Sequence, residues 1–199
     1  KEMPKDGKLS LHMMYQTCGT QINLDYISEK DFKKKFKLSS FLVPISTAIF
    51  ANSPIVENSL SGYLSYRAKV WQNTSRAGLP KSFLEDMDFE KYTDFVINMP
   101  LLFVFKNSKH LDAKGKKFKD FMDGKLSILK NIKPNIVDFN NHLATIFTEV
   151  RLKKYIEIRS LDTCEWDCHC GGPAFYVGLL YGNLNEAFDI INKWKPSEV

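Results

Sequence analysis

Alternating polar and apolar residues mark two segments of the chain as long β-strands. In residues 13–26 the alternation places Gln21 and Asn23 on one polar face. Residues 149–159 alternate in the same way, with an apolar face built around Ile156 and Ile158. The opposite face carries Arg151, Lys153, Tyr155, Glu157 and Arg159. Each strand is therefore predicted to have one face toward a core and one polar face.

Helical spacing dominates between and after these two strands. Ser28 is a plausible N-cap with Asp31 in a weak capping box, and Pro44 is expected to kink or divide the helix that follows. A buried strand is predicted at residues 101–105. Further helices are predicted at residues 62–72, 89–98, 118–122 and 138–146, and around the apolar stripe that ends at Trp194. Strands separated by helices predict an α+β fold in a single domain over residues 1–199, with helices on one face of the sheet.

Composition limits the class of protein without naming a function. The chain has 199 residues, 44% of them apolar, and 15 Phe, which is typical of a globular domain with a sizeable core. The net charge of +5 suits an anionic ligand as well as nucleic acid, but the lysine clusters lack the interleaved exposed aromatics of a nucleic-acid surface. No apolar run reaches the ~20 residues of a membrane span, and the start lacks a signal-peptide core. We therefore expect a cytoplasmic protein without a nucleic-acid or membrane partner.

The charged face of residues 149–159 has two interpretations. It is either a solvated, charge-balanced sheet face or a polyphosphate site. Arginine forks bind phosphate oxygens in pairs, and a carboxylate such as Glu157 between them suits Mg²⁺. The bulk of Tyr155 on the same face argues against simple solvation.

Two further clusters carry polar chemistry of the same kind. Gln21 and Asn23 point to one side, where amide groups suit a hard cation or an anion, although an amide ladder is an equal alternative. Arg67 and Arg76 flank Trp71, and Arg67 has the i, i+4 spacing that allows it to stack on that ring. An ordinary surface helix is the alternative for this segment.

Six strings, taken in order, resemble the plant-type and proteobacterial glutamate–cysteine ligases. They are MMYQTCGTQINLDY, AIFANSPIVE, GYLSYRAKVW with TSRAGLP, NHLATIFTEVRLKKYIEIR, the core YIEIRSLD, and GGPAFYVGLLY. The resemblance implies an antiparallel-rich, glutamine synthetase-like catalytic domain. It also implies a ligase that uses ATP and Mg²⁺ to join the γ-carboxylate of glutamate to the amine of cysteine through a γ-glutamyl phosphate, the first step of glutathione synthesis.

The same resemblance implies roles for individual residues. Glu157 is similar to the family's Mg²⁺ carboxylate, and Arg159 to the arginine on the transferred phosphoryl group. Arg67 is similar to the arginine on the substrate carboxylate. The remaining assignments are Arg151, Lys153 and Gln21 for ATP, and Asn23 and Arg76 for substrate.

The chain also departs from the family pattern. The family's enzymes are longer, with further acidic metal ligands before the position of Met13 and further helices at the C-terminal end. The chain is therefore expected to be an interior piece with a bare sheet edge, whose partner is the rest of the ligase chain or a second copy. A ligase with another amine acceptor and a non-catalytic nucleotide-binding module remain alternatives.

The cysteine loop gives a third alternative, a small zinc domain. Cys164, Cys168, His169 and Cys170 are thiolate and imidazole groups that suit zinc, but their spacing is not that of a usual zinc module. We expect reduced thiols in a mobile surface segment without zinc. Cys170 is similar in position to a plant-type cysteine involved in redox control, but no matching partner is evident.

Overall fold

The computed structural model describes residues 3–198 and shows an α+β fold. The helices are α1 Ser10–Tyr15, α2 Glu29–Ile49, α3 Tyr66–Gln72, α4 Phe89–Asn98, α5 Phe118–Met122, α6 Ile136–Ala144, α7 Gly171–Val177 and α8 Leu184–Ile191. The strands are β1 Gly19–Leu24, β2 Ile55–Val56, β3 Ser59–Leu60, β4 Ala77–Gly78, β5 Val104–Lys106, β6 Lys109–Leu111, β7 Phe147–Thr148, β8 Val150–Leu152 and β9 Ile156–Asp162. Among the described residues, no helix has both the length and the hydrophobicity to cross a bilayer.

An antiparallel sheet in the order β1-β9-β8 forms the centre of the fold. Its apolar face, with Ile22, Ile156 and Ile158, joins the main core, to which α2 contributes Phe32 and Phe36. All five side chains are 5% exposed or less, so burial of apolar surface holds α2 on the sheet. The opposite face of the sheet is left to the polar side chains.

Several predicted elements are confirmed in place. The bounds of α4 and α5 agree with the prediction. Ser28 caps α2 by accepting a hydrogen bond from Asp31 N at 3.2 Å, and the Asp31 carboxylate accepts one from Ile27 N. Helix α2 runs through Pro44 without being divided, so the prediction of a division is wrong. Burial of α2 along most of its length outweighs the loss of one backbone hydrogen bond.

The two long predicted strands are wrong in their extent. The first begins as helix α1, and only Gly19–Leu24 is a strand. The second is a hairpin, because a turn at residues 153–155 separates β8 from β9. Arg151 pairs with Glu157 across this hairpin, so the predicted assignment of residues to the two faces is right although the predicted length of the strand is wrong.

Three other predicted elements are shorter or shifted. The helix predicted at residues 62–72 begins only at Tyr66, after the cap Ser65. The helix predicted at 138–146 is α6, which begins two residues earlier because Asn135 is the N-cap and Asp138 completes its capping box. The strand predicted at 101–105 is only the short β5, paired with β6 in a two-stranded hairpin over a separate small core.

Candidate functional site

Strands β1 and β9 bring four predicted site residues to one face of the sheet. Asn23 lies directly opposite Glu157 in the antiparallel register, so their side chains leave the sheet on the same side. Gln21 Oε1 accepts a hydrogen bond from Arg159 Nη1 at 2.9 Å. The structure therefore places the four side chains together, as the alternation predicts.

Glu157 lies at the centre of three cations. Its Oε1 accepts hydrogen bonds from Arg151 Nη2 at 2.5 Å and from Arg159 Nη1, and its Oε2 is 3.0 Å from Lys153 Nζ. Burial by itself would raise the pKa of Glu157, but the hydrogen bonds from Arg159 and Lys153 and the charge of Arg151 outweigh it and lower the pKa. One carboxylate among three cations leaves this cluster with excess positive charge.

Arg67 reaches the same face from helix α3. Its guanidinium stacks on Trp71, 4.3 Å from the ring centroid, which confirms the predicted stacking, and its Nη2 donates to the backbone oxygen of Arg159. The Arg159 guanidinium lies over the same ring at 5.1 Å. Trp71 thus keeps two cations side by side, although like charges repel.

These cations border a small polar cavity of about 150 Å³. Its lining residues are Met13, Met14, Thr17, Gly19, Gln21, Arg67, Trp71, Phe147 and Arg159. Arg67 Nη1, Arg159 Nε and Trp71 Nε1 are buried and have no hydrogen-bond partner among the described residues. Unpartnered buried donors are costly, so three of them around one cavity favour an anionic group there.

Glu149 is a second buried carboxylate, which the sequence analysis does not single out. It is 5% exposed, and its Oε2 has no hydrogen-bond partner among the described residues. Burial raises its pKa to about 7, although the charges of Arg67 and Arg159 oppose that shift. An apolar cavity of about 590 Å³ beside α2 and α3 also borders Glu149. The only sequence signal was an acidic residue at the start of a strand.

Arg76 lies apart from this cluster. Its Nε donates to Asp6 Oδ2 at 2.7 Å, and its two terminal nitrogens donate to the backbone oxygens of Thr145 and Pro100 at 3.4 Å. It is 2% exposed and does not line the small cavity. The geometry therefore gives Arg76 a structural position that joins three segments, and it does not bring Arg76 to the predicted substrate site.

The residues that the structure describes do not by themselves fit a Mg²⁺ ion. Residues 3–198 contain no group of three His, Cys, Asp or Glu side chains that could hold a metal. Both Glu157 oxygens already accept from cations, and Mg²⁺ needs near-octahedral oxygen ligands. Glu157 alone supplies one such ligand at most, so the cations around it are the groups that can bind and orient an anion here.

The cysteine loop connects the end of β9 to the start of α7, and it borders a cavity with Gly171 and Gly172. All four cysteines are free, and Cys18, Cys168 and Cys170 are exposed while Cys164 is half-buried. A neighbouring thiol, Cys168, and partial burial raise the pKa of Cys164. The expected reduced state and mobility of this loop remain predictions.

Comparison with known proteins identifies the relatives. A profile of glutamate–cysteine ligase family 2 matches residues 1–199. The chain is 45% identical to the chloroplastic glutamate–cysteine ligase of Nicotiana tabacum, across 98% of this chain and 38% of the relative. Ligase B of Oryza sativa subsp. japonica is 46% identical across 98% and 40%, and the Medicago truncatula ligase is 43% identical across 100% and 40%. The chain thus spans about 40% of the length of the curated relatives it matches.

The names of these relatives correct one expectation and support another. Each of the three is named chloroplastic, so the expectation of a cytoplasmic protein is wrong. That expectation rested on the absence of a signal-peptide core, which has no bearing on a plastid. The sequence profile over the whole chain and the identity above 40% agree with the six motifs. The chain belongs to glutamate–cysteine ligase family 2.

Proposed function

We propose that this chain is the central part of the catalytic domain of a glutamate–cysteine ligase that consumes ATP. The observation that carries the proposal is the cluster in which Arg151, Lys153 and Arg159 surround Glu157 beside the unpartnered Arg67 Nη1. Two anionic substrates, ATP and glutamate, must meet at such a site, and fixed cations reduce their repulsion.

The cations divide into two groups by their surroundings. Arg67 lines a cavity of about 150 Å³, which has room for a carboxylate but not for a nucleotide, so we assign it to the substrate glutamate. Arg151 and Lys153 lie on the β8–β9 hairpin, with Lys153 partly exposed, and we assign them with Gln21 to the ATP phosphates. Arg159 lies between the two groups: its backbone oxygen accepts from Arg67, and its guanidinium donates to Glu157. We assign it to the phosphoryl group that is transferred.

The proposed reaction has two steps. A γ-carboxylate oxygen of glutamate forms a bond to the γ-phosphorus of ATP, the bond from that phosphorus to the β,γ-bridging oxygen breaks, and ADP leaves. The cysteine amine then attacks the acyl carbon, phosphate departs with the C–O bond electrons, and the nitrogen loses a proton. Charge increases between the reacting groups in the first step, so preorganised arginines accelerate it. Mg²⁺ would neutralise ATP further, with Glu157 as one ligand and the others outside this segment.

The wider setting of the proposal follows from the relatives. We propose that the segment works with the rest of a longer ligase chain, in a plastid, in the first step of glutathione synthesis. A related ligase with a different amine acceptor is the alternative enzyme. A nucleotide-binding segment without catalysis is the other alternative. The lack of a group of three His, Cys, Asp or Glu side chains among residues 3–198 that could hold a metal favours it for this segment alone.

Product analysis of the full-length ligase separates these functions. Purified enzyme with glutamate, cysteine, ATP and Mg²⁺ should form γ-glutamylcysteine and phosphate in equal amounts. Replacing cysteine with other amines tests the acceptor, and nucleotide binding by residues 1–199 alone tests the non-catalytic alternative. Phosphate release without γ-glutamylcysteine in the presence of cysteine would contradict the proposed acceptor.

A further inference from the structure

Asp162 connects two separate segments to the end of strand β9. Its Oδ2 accepts hydrogen bonds from Asn52 N at 2.8 Å and from Ser53 Oγ at 2.7 Å. Its Oδ1 accepts one from Ser65 Oγ at 3.0 Å. The side chain is 5% exposed, and hydrogen bonds to a buried carboxylate are among the strong ones. One carboxylate therefore joins the loop after α2 to the start of α3.

Both of these links lead to the first turn of α3, which carries Arg67. Ser53 Oγ, which donates to Asp162, accepts from Arg67 N at 3.1 Å. Ser65 is the N-cap of α3 and accepts from Ala68 N at 3.0 Å while its hydroxyl donates to Asp162. Only one hydroxyl therefore separates the Asp162 carboxylate from the Arg67 backbone.

A β-bulge in β9 turns Asp162 to the face of the sheet that carries Arg159. The register shifts between Thr20 and Ile22, so β9 has one residue more than β1 there. Ser160 and Leu161 consequently both face the helices, where Ser160 Oγ contacts Ser46 Oγ at 2.8 Å and Leu161 joins the main core. The next residue, Asp162, then reaches the start of α3 through Ser65. In a regular strand Leu161 would share the face of Arg159, so the bulge re-aims this carboxylate.

The Arg67 side chain is fixed at two points and free at a third. It stacks on Trp71, and its Nη2 donates to the backbone oxygen of Arg159, while Nη1 has no partner among the described residues. A shift of α3 relative to β9 would move Nη1 in the small cavity. Small displacements of a binding group reduce affinity steeply.

We propose that Asp162 is a positioning residue that fixes the start of α3 against β9 and thereby sets the affinity of Arg67 for the substrate carboxylate. This inference rests on the proposed role of Arg67 in binding glutamate. Asp162 itself contacts no part of the small cavity. It acts through Ser53 and Ser65, so its loss should change glutamate binding more than it changes turnover.

The first test is Asp162→Asn in the full-length ligase. The amide removes the negative charge and replaces one acceptor oxygen with a donor, so all three links lose their charge assistance and the one to Ser65 or to Ser53 must reverse or break. We expect the KM for glutamate to rise about tenfold, the equivalent of one lost hydrogen bond, with kcat and the KM for ATP within about twofold of wild type. Asp167→Asn makes the same change in the exposed 3-10 helix Trp166–Cys168 and should leave all three constants unaltered. An equal fall in kcat with no change in KM would overturn the proposal.

A double-variant cycle shows whether Asp162 acts through Arg67. If it does, introducing Asp162→Asn into the Arg67→Ala variant should raise the KM for glutamate by less than about twofold, because the side chain that Asp162 positions is already missing. Additive effects would overturn the proposal. Ser53→Ala, which removes only the bridging hydroxyl, should raise the KM in the same direction with less risk to folding.

Amide hydrogen exchange separates this inference from the proposed function. Asp162→Asn should speed exchange at the amides of Asn52 and Arg67, which donate to Asp162 and Ser53, while Ile156 and Ile158 in β9 keep theirs. Unchanged exchange at Asn52 and Arg67 would overturn the positioning role whatever the kinetics. If Arg67→Ala keeps the wild-type KM for glutamate, the role of Arg67 in binding fails, and so does the claim that Asp162 sets its affinity. Faster exchange at Arg67 in Asp162→Asn would then still show that Asp162 fixes the start of α3.

Discussion

Gly19 packs directly against the guanidinium of Arg67. A Cβ atom at Gly19 would lie 2.5 Å from Arg67 Nε and 2.8 Å from the backbone oxygen of Leu161. The second contact is with backbone in the neighbouring strand, which cannot swing aside as a side chain can. Only glycine at this point of β1 therefore allows Arg67 to lie flat between the strand and Trp71.

Gly19→Ala should weaken glutamate binding by displacing Arg67. We expect a rise of about tenfold in the KM for glutamate and a loss of ~1–3 kcal/mol in the free energy of unfolding, as for other overpacked sites. Steady-state kinetics and denaturant unfolding measure the two effects. Gly182→Ala is the matched control, since a Cβ there meets nothing within 4 Å. Wild-type KM in Gly19→Ala would mean that Arg67 does not need its observed position.

Arg67→Ala should chiefly raise the KM for glutamate. The carboxylate it is proposed to bind keeps its charge throughout the reaction, so the contact stabilises the ground state and the transition state alike. Loss of one charge-assisted contact of ~2–3 kcal/mol corresponds to a rise of about 30–150-fold. The measurement is γ-glutamylcysteine formation over a range of glutamate concentrations. Lys69→Ala, on the same helix, removes a cation that lies over Tyr63 rather than at the small cavity.

Glu157→Gln should lower turnover and stability together. The amide keeps the shape of the side chain, but three cations then lose the carboxylate that pairs them. Breaking a buried ion pair by removing one partner costs ~3–5 kcal/mol, and release of Arg159 from its paired position should reduce kcat by roughly a hundredfold. Glu165→Gln, in the exposed loop after β9, is the control. Near-wild-type turnover at saturating Mg²⁺ would remove the central role given to Glu157.

Arg159→Lys should reduce kcat by roughly a hundredfold while the KM for glutamate changes little. Lysine keeps the positive charge, but it has one nitrogen where arginine has three, so it cannot bind Glu157, Gln21 and a phosphoryl group at once. Kinetics at varied glutamate and varied ATP separate the two constants. A variant whose only defect is a raised KM for glutamate would place Arg159 with the substrate carboxylate and not with the transferred phosphoryl group.

Residue alternation predicted the faces of the sheet correctly although it misjudged the strands. Arg151 and Glu157 have the same parity in the sequence, and a hairpin turn of three residues keeps them on one face. The polar faces of β1 and β9 also lie on the same side of the sheet, where Gln21 accepts a hydrogen bond from Arg159. The stacking of Arg67 on Trp71 needed only helical spacing.

Contacts between distant segments of the chain determine the features that the residue pattern did not predict. The positions of Gly19 and Asp162 depend on a bulge that breaks the alternation, and no local signal marks it. Arg76 flanks Trp71 as Arg67 does, but its guanidinium donates to Asp6 and to two backbone oxygens from distant segments. The α1 helix replaced the predicted start of the first strand because Met13 packs against Val70 and Trp71, a contact that local periodicity does not reveal.

Glu149 makes the stability of the chain depend on pH in a predictable direction. Burial raises its pKa from 4.5 to about 7. The folded state therefore holds a proton between about pH 4.5 and 7 that the unfolded state has lost. This contribution is fully present below pH 4.5 and is lost as the pH rises through 7. The full change is about 3 kcal/mol, from the size of the pKa shift.

Glu149→Gln isolates that contribution, because glutamine stays neutral at every pH. The free energy of unfolding of the variant should match that of wild type near pH 4 and exceed it by about 3 kcal/mol near pH 8. Denaturant unfolding of both proteins across this range measures the difference. His142, whose pKa burial lowers to about 4, changes stability with the opposite sign in both proteins and cancels from the comparison. A difference that does not vary with pH would show that Glu149 is ionised in the folded protein, held by Arg67 and Arg159.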